Sequence, residues 1–167
     1  MGYSWTQTRD TIALTVVVDL YGREMGMSTV KYSVLSYYPL IVSNENINVG
    51  ILFHNISNDS VFFYKIHNWK RLQNFDDELD LNFLKIYLNG IEKQRSGDGL
   101  FDRNKEFIME EYIKTFVNKL RFDQVVIAET ADVEKFCLDI QKAYMRFDFD
   151  EKGRSSIDHP KKEDLHK

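Results

Sequence analysis

Between residues 30 and 38 the chain reads VKYSVLSYY. A period of two puts Tyr32, Val34, Ser36 and Tyr38 on one face and Ser33, Leu35 and Tyr37 on the other. β-Branched and aromatic side chains suit a pleated, half-buried surface, so the segment is predicted as a strand, which Pro39 ends. A second apolar run, NVGILFHN at 48–55, leads into NISNDS and then VFFYKIH at 61–67. Asn, Ser and Asp favour turns because their side chains bond nearby backbone amides. The three runs therefore predict an antiparallel meander.

The period then lengthens. Asp80 can cap a helix in which Leu84, Tyr87, Leu88 and Ile91 recur at helical spacing, and RSGDG at 95–99 breaks it. Met109, Tyr112, Ile113, Phe116, Val117 and Leu120 form the stripe of a second helix. FDQVVIAE at 122–129 reads as a fourth strand. Thr130 or Asp132 then opens a third helix with Val133, Phe136, Cys137, Ile140 and Tyr144 inward. Strands first and helices after predict an α+β domain over residues 27–149. Its antiparallel sheet has about four strands, with about three helices packed on one face. Residues 150–167 are charged and polar, with too little apolar surface to offset ordering, and are expected to be disordered.

Composition narrows this picture. A length of 167 residues favours one domain, and 12 Phe and 9 Tyr supply ample core material. The net charge of −4 and the lack of a basic block give nucleic-acid binding no support. Lys65, Lys70 and Arg71 lie close together, as a local basic patch or as a solvated edge. The single cysteine, Cys137, excludes a disulfide within one chain and fits a reducing cytoplasm, where a buried structural thiol is expected. TIALTVVVDL, within residues 1–26, is too short to span a bilayer. It lacks the basic flank and cleavage site of a signal peptide. It reads as an extra strand or a non-native leader, with Met27 as the natural start.

Chemistry is sparse. His54, His67, His159 and His166 lack metal-ligand spacing, and no phosphate-binding glycine loop or nucleophile elbow occurs. No catalytic residue, cofactor or metal is assigned. Two acidic runs stand out, DDELD at 76–80 and DFDE at 148–151. Paired carboxylates can hold a divalent metal for nuclease chemistry; at a helix N-terminus they also serve as capping and dipole partners. Trp69, beside Asn68, Lys70 and Arg71, is either an interface anchor or a ring closing the sheet edge over the core.

The stretch NENINVGILFHN at 44–55 sets Glu45, Asn48 and Gly50 against an apolar run. Asn48 and Gly50 can serve a bend or bulge, since glycine permits close backbone approach. Glu45 can accept amides of the preceding loop. The longer segment KYSVLSYYPLIVSNENINVGILFHN resembles the N-terminal signature of an uncharacterised bacterial family that carries only a domain-of-unknown-function label. Tyr32, Ser33, Val34, Leu35 and Pro39 match it, as do Glu45, Asn48, Val49, Gly50 and Phe53. The family usually has an arginine before its second tyrosine, where Ser36 stands here. The resemblance implies no established catalysis. It implies a small companion protein of the kind often encoded beside HipA-like kinases.

The expectation is thus a cytoplasmic interaction module with no membrane span, a companion or regulator of a HipA-like kinase in a toxin–antitoxin or defence-type system. Glu45, Asn48, Gly50, Trp69 and Arg71 are its candidate partner-binding residues. The alternative is a metal-dependent nuclease or other hydrolase using Asp76, Asp77, Glu78 or Asp80.

Overall fold

The computed structural model describes residues 26–94 and 106–149, with the backbone alone of 6–8, 11–13, 17–18, 24–25 and 95. The expected tail at 150–167 and the SGDG of the helix-breaking RSGDG lie outside the described residues. Two short strand pairs, β1 (Thr6–Thr8) with β2 (Thr11–Ala13) and β3 (Val17–Val18) with β4 (Glu24–Met25), precede the main sheet. β2 and β3 fall within TIALTVVVDL, and neither pairs with the main sheet.

The meander forms as read: β5 (Ser28–Tyr37), β6 (Ile47–Asn55) and β7 (Ser60–Lys65) pair antiparallel in sequence order. The hairpin between β6 and β7 turns at Asp59, whose φ of 53° an Asp side chain tolerates. The expected fourth strand is divided. β8 (Leu120–Phe122) pairs with the end of β5, and β9 (Val126–Thr130) pairs with its start, both on the flank away from β6. Between them the Asp123 N–H donates to the Val34 carbonyl at 2.8 Å, and the Ser33 hydroxyl donates to the Asp123 carbonyl at 2.6 Å. The hydroxyl stands in for a ladder bond, so the chain can leave the ladder here without orphaning a carbonyl.

The helices occupy both faces of this sheet, where the sequence placed them on one. Adjacent residues of β5 point opposite ways. Lys31 reaches Glu110 on α3 (Met109–Ile113), and on the same face Lys65 reaches Asn89 and Glu92 on α2 (Leu81–Arg95). Tyr32, on the other face, packs against Phe136 and Tyr144 of α4 (Val133–Tyr144). Alternate residues of β5 are buried on both sides, so the strand needs cover on both; Val30 and Leu35 are both fully enclosed.

α2 starts where expected, with Asp80 accepting the Phe83 N–H at 3.0 Å, and it buries Leu84, Leu88 and Ile91. Tyr87, expected inward, stands partly exposed and meets Phe116 edge to face. α4 is capped by Asp132, which accepts from Lys135, and it buries Cys137. The expected helix over 109–120 is cut to five residues. Leu120 pairs with Tyr37, and the Tyr38 N–H donates to the Lys119 carbonyl at 2.7 Å, so strand pairing replaces helical continuation. A further short helix, α1 (Trp69–Phe75), was not expected; Asn68 caps it by accepting the Arg71 N–H.

Candidate functional site

The junction at the start of β6 is a β-bulge. Leu35 pairs with Gly50 and Ser36 with Asn48, so Val49 is skipped. Its carbonyl instead accepts the Ile66 N–H at 2.9 Å. Asn48 pins the bulge on two sides: its Oδ1 accepts the Ser36 hydroxyl at 2.9 Å, and its Nδ2 donates to the Tyr144 carbonyl at the end of α4. Gly50 is buried beneath a ring, since a Cβ built there would lie 2.2 Å from the Phe63 ring. Both residues thus shape the junction. Glu45 differs. It is exposed, and its own N–H donates to the Ser43 hydroxyl.

A second constellation locks the C-terminal end of the fold. The short 3-10 turn Arg146–Asp148 buries Asp148 to 2% exposure. Its Oδ1 accepts the Asn68 N–H at 2.9 Å, and its Oδ2 accepts the His67 N–H at 2.9 Å and the Tyr64 hydroxyl at 3.1 Å. Burial and then this carboxylate push the Tyr64 phenol well above its usual range. Asp148 ties the strand β7 and the cap of α1 to the end of α4. That role is structural, where the sequence saw only an acidic run leading into a tail.

His67 sits in this cluster, its Nδ1 3.1 Å from the Tyr64 oxygen, and burial lowers its pKa from the ordinary 6.5 against the pull of Asp148. The unfolded chain thus binds the proton more readily than the folded one. Stability contributed here is full above about pH 6.5 and falls as pH drops through the lower folded value. Urea midpoints at pH 7.5 and 5.5 are expected to show a smaller acid loss in His67→Gln than in the parent; equal losses would place the acid sensitivity elsewhere.

Two cavities flank the loop between β5 and β6. The smaller, about 230 Å³, is lined by Asn46, Ile47, Asn48, Ile66, Arg71 and residues 143–148. Here the fold brings Asn48 and Arg71 together. The Arg71 guanidinium lies 3.2 Å from the Phe147 ring centroid, and burial followed by Arg146 pushes its pKa down. Trp69, two residues away, turns elsewhere: it packs half-buried on the core with Lys85 at 5.2 Å from its ring. The ring thus lies over the core. Lys65 is held by Asn89 and Glu92 on α2, so Lys65, Lys70 and Arg71 do not gather into one basic patch.

The larger cavity, about 610 Å³, lies on the opposite side of the loop, between Tyr37, Pro39, Leu40, residues 76–80, Phe83, Leu84, Lys119 and Leu120. The acidic run lines it, but two of its carboxylates are engaged. Asp76 accepts the Tyr37 hydroxyl at 2.7 Å and the Glu78 N–H at 3.1 Å, while Asp80 caps α2. Asp77 and Glu78 remain exposed at the rim. Among the described residues, no group of three or more His, Cys, Asp and Glu side chains has an arrangement that could hold a metal ion. Burial pushes the Cys137 thiol up to about 11, which makes it a poor nucleophile.

Above this cavity three consecutive aliphatic side chains face solvent: Leu40 is 63% exposed, Ile41 58% and Val42 96%. Phe83, across the cavity, is 64% exposed. Sequence reasoning passed over this run as the body of a loop. Its signal was three large apolar residues between Pro39 and Ser43, outside any element that could bury them.

Residues 32–146 match the family model DUF3037, a protein of unknown function. The chain belongs to the DUF3037 family. The DUF3037 match runs from β5 to the start of the 3-10 turn, so it includes the bulge, the exposed loop and every lining residue of the larger cavity. No curated protein and no solved structure matches the chain. No helix among the described residues is long and apolar enough to cross a membrane.

Proposed function

We propose that this DUF3037 protein is an interaction module that docks another protein through the β5–β6 loop and the larger cavity beneath it, and that the partner is a HipA-like kinase. The observation that carries the docking reading is the Leu40–Val42 run standing in solvent beside an apolar cleft rimmed by Asp77 and Glu78. Burying one such side chain is worth about 1.5–3 kcal/mol. Val42 gains almost none of that in the isolated chain. Contiguous exposed apolar surface with a polar rim marks interaction sites, and loops on a rigid sheet are where binding residues concentrate. The chemistry calls for a partner segment with an apolar anchor and flanking basic residues. The choice of a HipA-like kinase rests on the family resemblance in the Tyr32–Phe53 segment. Glu45, exposed at the far end of the same loop, extends this surface.

The test is co-purification of the full chain with a co-expressed HipA-like kinase. Ile41→Asp/Val42→Asp is expected to abolish capture while each change leaves stability within about 0.5 kcal/mol. Glu45→Ala is expected to weaken the complex with as little effect on folding. Capture undiminished by both variants would remove the loop from the interface. The same preparations test the nuclease alternative: a melting temperature that rises with magnesium or manganese signals metal binding to the folded state, and an unchanged one counts against it.

A further inference from the structure

The smaller cavity is not used by the docking reading, and its charge is unbalanced. Arg71 and Arg146 both line it, with guanidinium carbons 3.2 Å and 5.2 Å from the centroid of the same Phe147 ring. Among the described residues, neither guanidinium has an ion-pair or hydrogen-bond acceptor. The one carboxylate on the wall, Asp148, is 2% exposed and already accepts from Tyr64, His67 and Asn68; its charge acts on Arg71 without a hydrogen bond to it and offsets the pair of cations only in part. Two like charges held near one ring repel each other, and an anion between them would relieve that cost. Guanidinium groups present forked donors that match tetrahedral oxyanions. Stacking on Phe147 fixes the plane of Arg71, so less side-chain freedom is lost when a ligand binds. The rest of the wall is mixed. Ile47 and Ile66 offer an apolar side, and the Asn46 amide a polar one.

We propose that this cavity binds a small phosphate monoester, with the phosphate between Arg71 and Arg146 and the organic group against Ile47 and Ile66. Two guanidiniums face one buried carboxylate here, so a phosphate group with its forked acceptor oxygens answers the excess positive charge better than a single carboxylate does. The volume of about 230 Å³ limits the ligand to a small molecule. This goes beyond the docking reading and does not depend on it, because the binding needs no protein partner.

The experiment is thermal denaturation of the full chain, alone, with phenyl phosphate, inorganic phosphate and acetate as probes and sodium chloride at matched ionic strength. A saturable rise in melting temperature is expected for phenyl phosphate, with a smaller rise for inorganic phosphate and none beyond the salt control for acetate. Arg71→Gln/Arg146→Gln is expected to weaken phenyl phosphate binding at least tenfold. If the double variant fails to fold, Arg146→Gln alone, at an exposed side chain, is expected to show a clear loss of affinity. In the parent, amide NMR shifts on titration are expected to centre on residues 46–48, 71 and 144–148. The proposal is overturned by the absence of a saturable rise, by a rise that acetate or salt reproduces, by undiminished binding in the arginine variants, or by NMR shifts centred elsewhere.

Discussion

Gly50→Val is expected to cost about 3 kcal/mol or more, the upper end of the range for forcing extra atoms into a packed core. The reason is contact and not backbone strain. A Cβ at Gly50 would sit 2.2 Å and 2.6 Å from two ring atoms of Phe63 and 3.0 Å from the Tyr64 carbonyl. Phe63 is only 5% exposed, so its ring cannot swing aside without opening the core between β6, β7 and α2. Gly50→Ala meets the same obstacle with fewer atoms and is expected to cost less, but more than an ordinary surface change. The pair can be separated by a double-mutant cycle. Phe63→Leu alone leaves a cavity and destabilises, yet it makes room for the alanine, so Gly50→Ala/Phe63→Leu is expected to be less destabilised than the sum of the two by about 1 kcal/mol. Strict additivity in urea unfolding would show that the ring is not what excludes a side chain at Gly50.

Asp148→Ala is expected to have a comparable effect from the opposite cause, the loss of an acceptor. Removing the carboxylate orphans two backbone N–H groups, at His67 and Asn68, and the Tyr64 hydroxyl. Each buried unsatisfied group costs about 1–3 kcal/mol, reduced here because the neighbouring cavity admits water, which gives about 3 kcal/mol in total. Asp148→Asn keeps the shape and one acceptor oxygen and is expected to lose roughly half as much. Proteolysis offers a second readout, since the end of α4 would detach from Asn68 and the α1 cap. A loss below about 1 kcal/mol for Asp148→Ala would mean that the 3-10 turn does not hold the C-terminal end of the fold.

The candidate site was legible only in part. The alternation around Tyr32–Tyr38 and the bend signal at Asn48 and Gly50 pointed to the right places, and a bulge stands there. Glu45 kept its surface character. Trp69 and Arg71, neighbours in sequence, part company once α1 winds between them. The acidic run at 76–80 looked like one cluster, yet Asp76 turns to Tyr37 and Asp80 to its own helix. A residue's neighbours along the chain do not say which of its atoms are already engaged.

The sequence by itself determined the elements whose signals are local. These were three strands of period two, the turn chemistry at 55–60, the Asp80 and Asp132 caps, and the α+β order that follows from them. Each depends on residues within one or two turns of one another, where periodicity and capping act. Only the tertiary structure decided what depends on distant partners. Leu120 is drawn from a helical stripe into a strand because the end of β5 offers it an edge, and Ser33 divides the fourth strand by claiming the Asp123 carbonyl from ninety residues away. Helices went to both faces because β5 is buried on both. Asp148 became an anchor because three donors from residues 64–68 converge on it. Such choices are settled by the need to pair each buried polar group and cover each apolar face, and that need is defined only once the chain has folded back on itself.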